Sequence, residues 1–104
     1  MGHQAKFPLG QVICHRLFGY RGVVVDADPT FQGSEEWYNS VARSRPPRNM
    51  PWYRVLVHDS DELTYVAERN LEADDSGDPV EHPELSRYFG KFRGGVYCPT
   101  RPLN

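Results

Sequence analysis

The run Gly19-Tyr20-Arg21-Gly22-Val23-Val24-Val25-Asp26-Ala27-Asp28-Pro29 limits what this chain can fold into more than any other segment. Three consecutive valines lose χ1 freedom in a helix and suit a pleated strand. Gly19 and Gly22 allow a tight turn or a bulge where a Cβ would clash, and Asp28-Pro29 closes the run. The valines are too continuous for a strand wet on one face. The strand over residues 20–26 is therefore expected to be central, or covered on both sides.

Further strands flank it. Residues 11–16 (Gln-Val-Ile-Cys-His-Arg) alternate loosely and read as a first strand, with Leu17-Phe18-Gly19 as the turn. Residues 52–58 alternate cleanly, placing Tyr53, Val55 and Val57 on one face and Trp52, Arg54, Leu56 and His58 on the other. Asp59-Ser60-Asp61 turns the chain into a hairpin partner over Leu63 to Ala67. Asn70-Leu71 ends a short fifth strand or a 3₁₀ turn.

Two segments break this pattern. Between Asp28 and Pro51, Ser34 can cap a helix with Glu35 and Glu36 in its first turn. Trp37 and Val41 then fall on one side, and Pro46-Pro47 stops the helix. Beyond a polar, flexible break at residues 74–79, Pro83 suits the start of a helix over residues 84–89. Leu85, Tyr88 and Phe89 would share its apolar face, and Gly90, Gly94 and Gly95 would stop it. That face is expected to dock on the barrel or on a neighbouring subunit. Short strands, hairpin turns and little helix predict a mainly β fold, a small SH3-like antiparallel barrel with a long helical or irregular excursion and a short C-terminal helix or tail. The 104 residues suit one domain, with the barrel at about 6–73 and the tail at about 74–104.

Charge is segregated. The formal net charge is only −2, yet residues 43–54 hold Arg43, Arg45, Arg48 and Arg54 with no acid, and residues 72–84 hold six acids with no Lys or Arg. Such segregation makes local fields that net charge hides, or simply a set of solvated loops. Cys14 and Cys98 lie far apart, without a CxxC or a histidine pair, so no metal site is expected. No stretch is long and apolar enough to span a membrane, and no signal-peptide core is visible. A reduced, cytoplasmic protein is expected.

In order and wording the blocks resemble one family, the hemimethylated-DNA-binding heat-shock proteins, also called YccV-like or heat-shock protein Q. The matching text is Phe7-Pro8-Leu9-Gly10-Gln11-Val12, the run from Gly19 to Pro29, Pro51-Trp52-Tyr53-Arg54-Val55-Leu56-Val57, Thr64-Tyr65-Val66-Ala67-Glu68-Arg69-Asn70-Leu71, and His82-Pro83-Glu84-Leu85. Gly19, Tyr20, Gly22, Asp26, Asp28, Pro29, Trp52, Tyr53, Tyr65 and Asn70 are the motif positions with structural roles. The resemblance implies an SH3-like barrel in a cytoplasmic bacterial protein that binds hemimethylated origin DNA and modulates the replication initiator. It also implies a link to the ATP-dependent protease Lon, as substrate and specificity factor, and self-association. The excursion between Pro29 and Pro51 varies widely in the family, so its arginines do not transfer as family contacts.

Arg16, Arg21, Arg43, Arg45, Arg48 and Arg54 are the candidate phosphate contacts. Reading one methyl group would also need an apolar contact, from Trp52, Tyr53 or Phe31 if exposed; in a strand, Trp52 and Tyr53 read rather as core aromatics. Asp26 and Asp28 could serve acid–base chemistry, but before a proline they read as turn residues. No catalytic residue, cofactor or metal is expected. Regulatory DNA binding leads, and contact with Lon is the alternative. A small core with many aromatics further predicts that some surface is buried between subunits. Sedimentation at micromolar concentration should then show more than a monomer; a clean monomer over a wide concentration range rejects the expectation.

Overall fold

The computed structural model of the protein describes residues 4–42 and 44–100. Arg43, one of the candidate phosphate contacts, lies outside that range. The fold is mainly β. Five strands form one antiparallel sheet: β1 (Val12–His15), β2 (Arg21–Asp28), β3 (Trp52–Val57), β4 (Leu63–Ala67) and β5 (Leu71–Ala73). Their spatial order is β4-β3-β2-β1-β5. Among the described residues no ladder joins β4 to β5, so hydrogen bonding leaves the sheet open. A 3₁₀ turn (Glu68–Asn70) leads into β5. No helix of the described residues is long and apolar enough to cross a membrane.

The valine run is buried for the reason the sequence suggests. Val24 joins Phe7, Ile13, Tyr53, Val55, Val66 and Leu71 on one face of the sheet. Val23 joins Val12, Leu56, Val80, Phe89 and Tyr97 on the other. A bulge at Val25 then changes the register. Before it, Val23 and Val24 face Leu56 and Val55; after it, Asp26 and Asp28 face Arg54 and Trp52. Without the extra residue, Val25 would stand opposite Arg54. The bulge therefore brings two carboxylates, rather than Val25 and Ala27, to the outer face beside an arginine.

The excursion forms α1 (Glu35–Val41), and the Ser34 hydroxyl accepts from the Trp37 N–H, as the capping reading expects. Tyr38, rather than Val41, is its buried residue. The Tyr38 hydroxyl donates to the Pro46 carbonyl at 2.7 Å, and its ring packs with Trp52 and Ala67. A ring with a satisfied hydroxyl buries more surface than Val41 could, and Val41 is left outside.

The C-terminal segment corrects an expectation. Only one helical turn forms, α2 (Leu85–Tyr88). Phe89 then opens β6 (Phe89–Arg93), which pairs with β7 (Val96–Pro99). Gly94 and Gly95 have φ of 55° and 87°. Two consecutive left-handed residues make the tight turn of a two-residue hairpin, which glycine adopts without strain. The same residues that read as a helix stop thus build a turn between strands. Phe89 and Tyr97 pack against Val12, Val23 and Leu56 of the sheet, and the Tyr97 hydroxyl accepts from the Val80 N–H at 2.8 Å. The stretch at residues 74–79 has no regular structure, but Arg21 ties it down through Asp74 and the Asp78 carbonyl.

At Gly22, β2 leaves no room for a side chain against β3. A Cβ there would lie 2.5 Å from Val55 Cγ1 and 2.6 Å from the Leu56 carbonyl oxygen. Gly22→Ala should destabilise the fold by about 1–3 kcal/mol, as overpacking in a filled core does. Urea unfolding midpoints compared with the parent chain check this, and an unchanged midpoint would show that the sheet yields without cost.

An aromatic groove as the candidate functional site

The structure brings the candidate arginines to carboxylates more than to one another. Arg54 lies 3.3 Å from Asp26 and 3.1 Å from Asp28. Arg48 forms a two-point pair with Glu35, both contacts 2.7 Å. Arg21 sits largely buried, 3.2 Å from Asp74. Arg16 is exposed, 3.9 Å from Glu72. Arg45 faces no carboxylate among the described residues; it donates to the Asn39 side-chain oxygen and lies 4.9 Å from the Tyr38 ring. Arg43 lies outside the described residues.

The Arg48 pair holds the Glu35 carboxyl below its ordinary range. At Asp74 burial pushes upward, but the hydrogen bonds from Arg21 and Ser76 outweigh it and the carboxyl titrates low. A guanidinium already shared with a carboxylate is a weakened phosphate ligand, because that pair must loosen first.

The motif residues mostly build the frame. Trp52 and Tyr53 are core aromatics; the Trp52 indole N–H donates to the Pro47 carbonyl at 3.1 Å. The Tyr53 hydroxyl donates to Glu68 at 2.6 Å. Gly19, with φ of 79°, closes the β1–β2 turn. Tyr20 reaches Thr64, with 3.1 Å between hydroxyls. Asn70 donates to the Ser44 hydroxyl at 3.2 Å, and Pro29 follows directly on β2.

Tyr65 donates to Asp28 at 2.7 Å while Arg54 lies over its ring at 4.7 Å. Burial first, then the bond to Asp28, pushes the Tyr65 hydroxyl up to about 12. Asp26 and Asp28 therefore hold Arg54 and Tyr65 in place. Neither is a turn residue: both lie within β2 and pair across to β3, and Asp26 also accepts from the Ala27 N–H.

Along β4 lies a groove of about 750 Å³. One wall is the β1–β2 turn with Leu17 and Phe18, the other is α1 with Trp37 and Val41; Trp52, Tyr65 and Ala67 line it between them. Large exposed hydrophobics concentrate here. Leu17 is 61% exposed, Phe18 73%, Val41 52% and Leu63 53%, and all four line the groove. Clustered apolar exposure of this kind marks contact surfaces, whereas scattered exposure does not. Of its lining, Trp37, Trp52 and Tyr65 pack with one another and with Phe31, the ring centroids 4.8–6.1 Å apart.

A match to the hemimethylated DNA-binding protein YccV like family covers residues 5–96. The chain belongs to the YccV-like family. F-box only protein 21 of Mus musculus is 33% identical over 99 residues, spanning 93% of this chain and 16% of that protein. The proteins of the same name from Homo sapiens and Pongo abelii are 32% identical over the same length. This YccV-like chain thus spans 16% of the length of those curated relatives.

Sequence reasoning did not single out Leu17, Phe18 or Leu63, but it placed Trp37 and Val41 on one side of their helix, and both line the groove. A signal for the turn was present in His15. Its Nδ1 accepts from both the Leu17 and Phe18 N–H groups, at 3.1 and 3.0 Å, and its ring stacks on Phe18 at 4.5 Å. Accepting at Nδ1 puts the neutral ring's proton on Nε2. Burial holds its pKa below the ordinary 6.5. A proton on Nδ1 would break both bonds, so the folded turn favours the neutral ring. The unfolded chain takes up this proton first. The stabilisation is complete above about pH 6.5 and fades as pH falls toward the lower folded value. The stability gap between the parent chain and His15→Gln should narrow between pH 7 and pH 5 in urea titrations. A His15 ring titrating above 6.5 by NMR would contradict this.

Proposed function

We propose that this chain is a non-enzymatic regulatory recognition domain that works through protein–protein contact, as a specificity factor or adaptor of the ATP-dependent protease Lon. One observation carries the reading: the groove along β4 is apolar and aromatic, while four of the candidate arginines already face carboxylates. Phosphate-driven binding needs free cations on one face. Protein contact needs a desolvated apolar centre with aromatic anchors, which Phe18, Trp37 and Tyr65 supply. We read the scaffold as SH3-like, with the Tyr20–Thr64 contact leaning the β1–β2 hairpin onto β4. On this reading the protein is cytoplasmic and self-associates.

Hemimethylated DNA is the second reading, favoured by the description of the matched family. Arg45, which faces no carboxylate among the described residues, is its best contact, with Arg43 and Arg48 beside it in sequence.

Two variants separate the readings. Phe18→Ser with Val41→Ser removes apolar surface at exposed positions. Changing Arg43, Arg45 and Arg48 together to Ala removes the basic stretch. Under the protein-contact reading, the first variant should weaken binding to purified Lon at least fivefold, and the second should leave it unchanged. A gel-shift series on unmethylated, hemimethylated and fully methylated duplexes at two salt concentrations tests the other reading. Preference for the hemimethylated duplex, lost with the arginines and with a flatter salt slope, would make DNA binding the leading function in place of protein contact.

A further inference from the structure

The edge of β4 is open along the floor of the aromatic groove. The β3–β4 ladder is bracketed by two hydrogen bonds, Val57 N–H to the Glu62 carbonyl and Glu68 N–H to the Pro51 carbonyl, both 3.0 Å. In an antiparallel pair, alternate residues turn their main-chain groups toward and away from the partner. Continuing this register, Thr64 and Val66 bond to Val55 and Tyr53, while Leu63, Tyr65 and Ala67 turn N–H and C=O away from β3. No strand follows β4 in the sheet order, and among the described residues these outward groups have no main-chain partner.

Exposed strand edges are normally blunted by shortness, charge, proline or a bulge. The opposite edge follows that rule: β5 has three residues and carries Glu72. By contrast, β4 has five residues, Leu-Thr-Tyr-Val-Ala, with no charge, proline or register shift. Apolar walls rise on both sides of it, Leu17 and Phe18 on one and Trp37 and Val41 on the other. The groove is also polarised. Glu62 is the one Asp, Glu, Lys or Arg lining it, and Asp59 and Asp61 stand beside it in the turn before β4.

We propose that β4 binds an extended segment of a partner protein by strand addition. The segment pairs its main chain with Leu63 and Tyr65; Ala67 is buried with Tyr38 and Trp52 and closes the far end of the edge. Its alternate apolar side chains rest against Phe18 and Val41, and a Lys or Arg flanks it beside Glu62. This rests on the protein-contact reading above and specifies the partner's chemistry. Main-chain pairing gives affinity, and the wall pockets give side-chain preference. A helix would leave the β4 edge groups unused. A nucleic-acid strand would bring phosphates to the acidic end.

The test selects a phage library of random ten-residue peptides against the full immobilised chain. Enriched peptides should alternate apolar and polar residues and carry Lys or Arg at one flank. In the best binder, N-methylation of the amides facing β4 should weaken affinity at least tenfold, and methylation of the intervening amides should not. Binding should slow hydrogen exchange at the Leu63 and Tyr65 amides. Phe18→Ser should weaken the same peptide, as should Glu62→Lys. The proposal is overturned by no alternating consensus, by indifference to N-methylation, or by edge amides protected without peptide in proportion to chain concentration, which would place a second copy there. If Lon binding still depends on Phe18 and Val41 when these results fail, strand addition falls and the protein-contact reading stands. If Lon binding is indifferent to Phe18 and Val41, the protein-contact reading itself falls.

Discussion

The packing centres on β3, whose side chains, Arg54 apart, are buried on both faces. Tyr53 and Val55 enter one core cluster, Leu56 a second, and Trp52 a third. A strand buried on both faces needs a cover for each. The sheet's own curl and Phe7 cover the first. The segment carrying Val80, Phe89 and Tyr97 covers the second, and the excursion with Tyr38 covers the Trp52 end. Removing any cover would expose large apolar surface at roughly 25 cal/mol per Å². That cost is why a chain with only 38% hydrophobic residues retains two long connections that a minimal barrel could omit.

The same arrangement decides what is left for recognition. Placing α1 and the β1–β2 turn on either side of β4 covers the sheet face but not the edge, so the walls rise and the floor stays open. Meanwhile the bulge at Val25 brings Asp26 and Asp28 to Arg54, and Arg48 reaches back to Glu35. Charges that stand in separate blocks along the sequence are thus interleaved in space. A basic stretch is diagnostic of nucleic-acid binding only if the fold leaves it unpaired, and this fold pairs Arg48 and Arg54.

Much of the fold was legible. Period-two alternation in Tyr53, Val55 and Val57, the valine run and the Ser34 cap each reflect local backbone preference, which neighbouring residues carry by themselves. Two features were not legible for a shared reason. The spacing of Trp37 and Val41 puts them on one side of the helix, but that Tyr38 is the buried residue depends on a hydroxyl acceptor at Pro46, eight residues on. Gly94 and Gly95 suit a helix stop as well as a hairpin turn, and the pairing of Phe92 with Tyr97 settles which. Local pattern states what a segment can do; the partner it meets states what it does.

The sequence by itself determined the strand-rich class, the order of the strands and the membership of the YccV-like family, because these depend on side-chain periodicity and on residues that keep their order along the chain. Tertiary structure alone decided which charges are neutralised and where the apolar groove lies. Arg54 and Asp28 are 26 residues apart, and Phe18 and Val41 are 23 apart, yet each pair serves one site. Electrostatic and hydrophobic interactions act through distance in space, and only the closed packing of β2, β3 and β4 sets those distances.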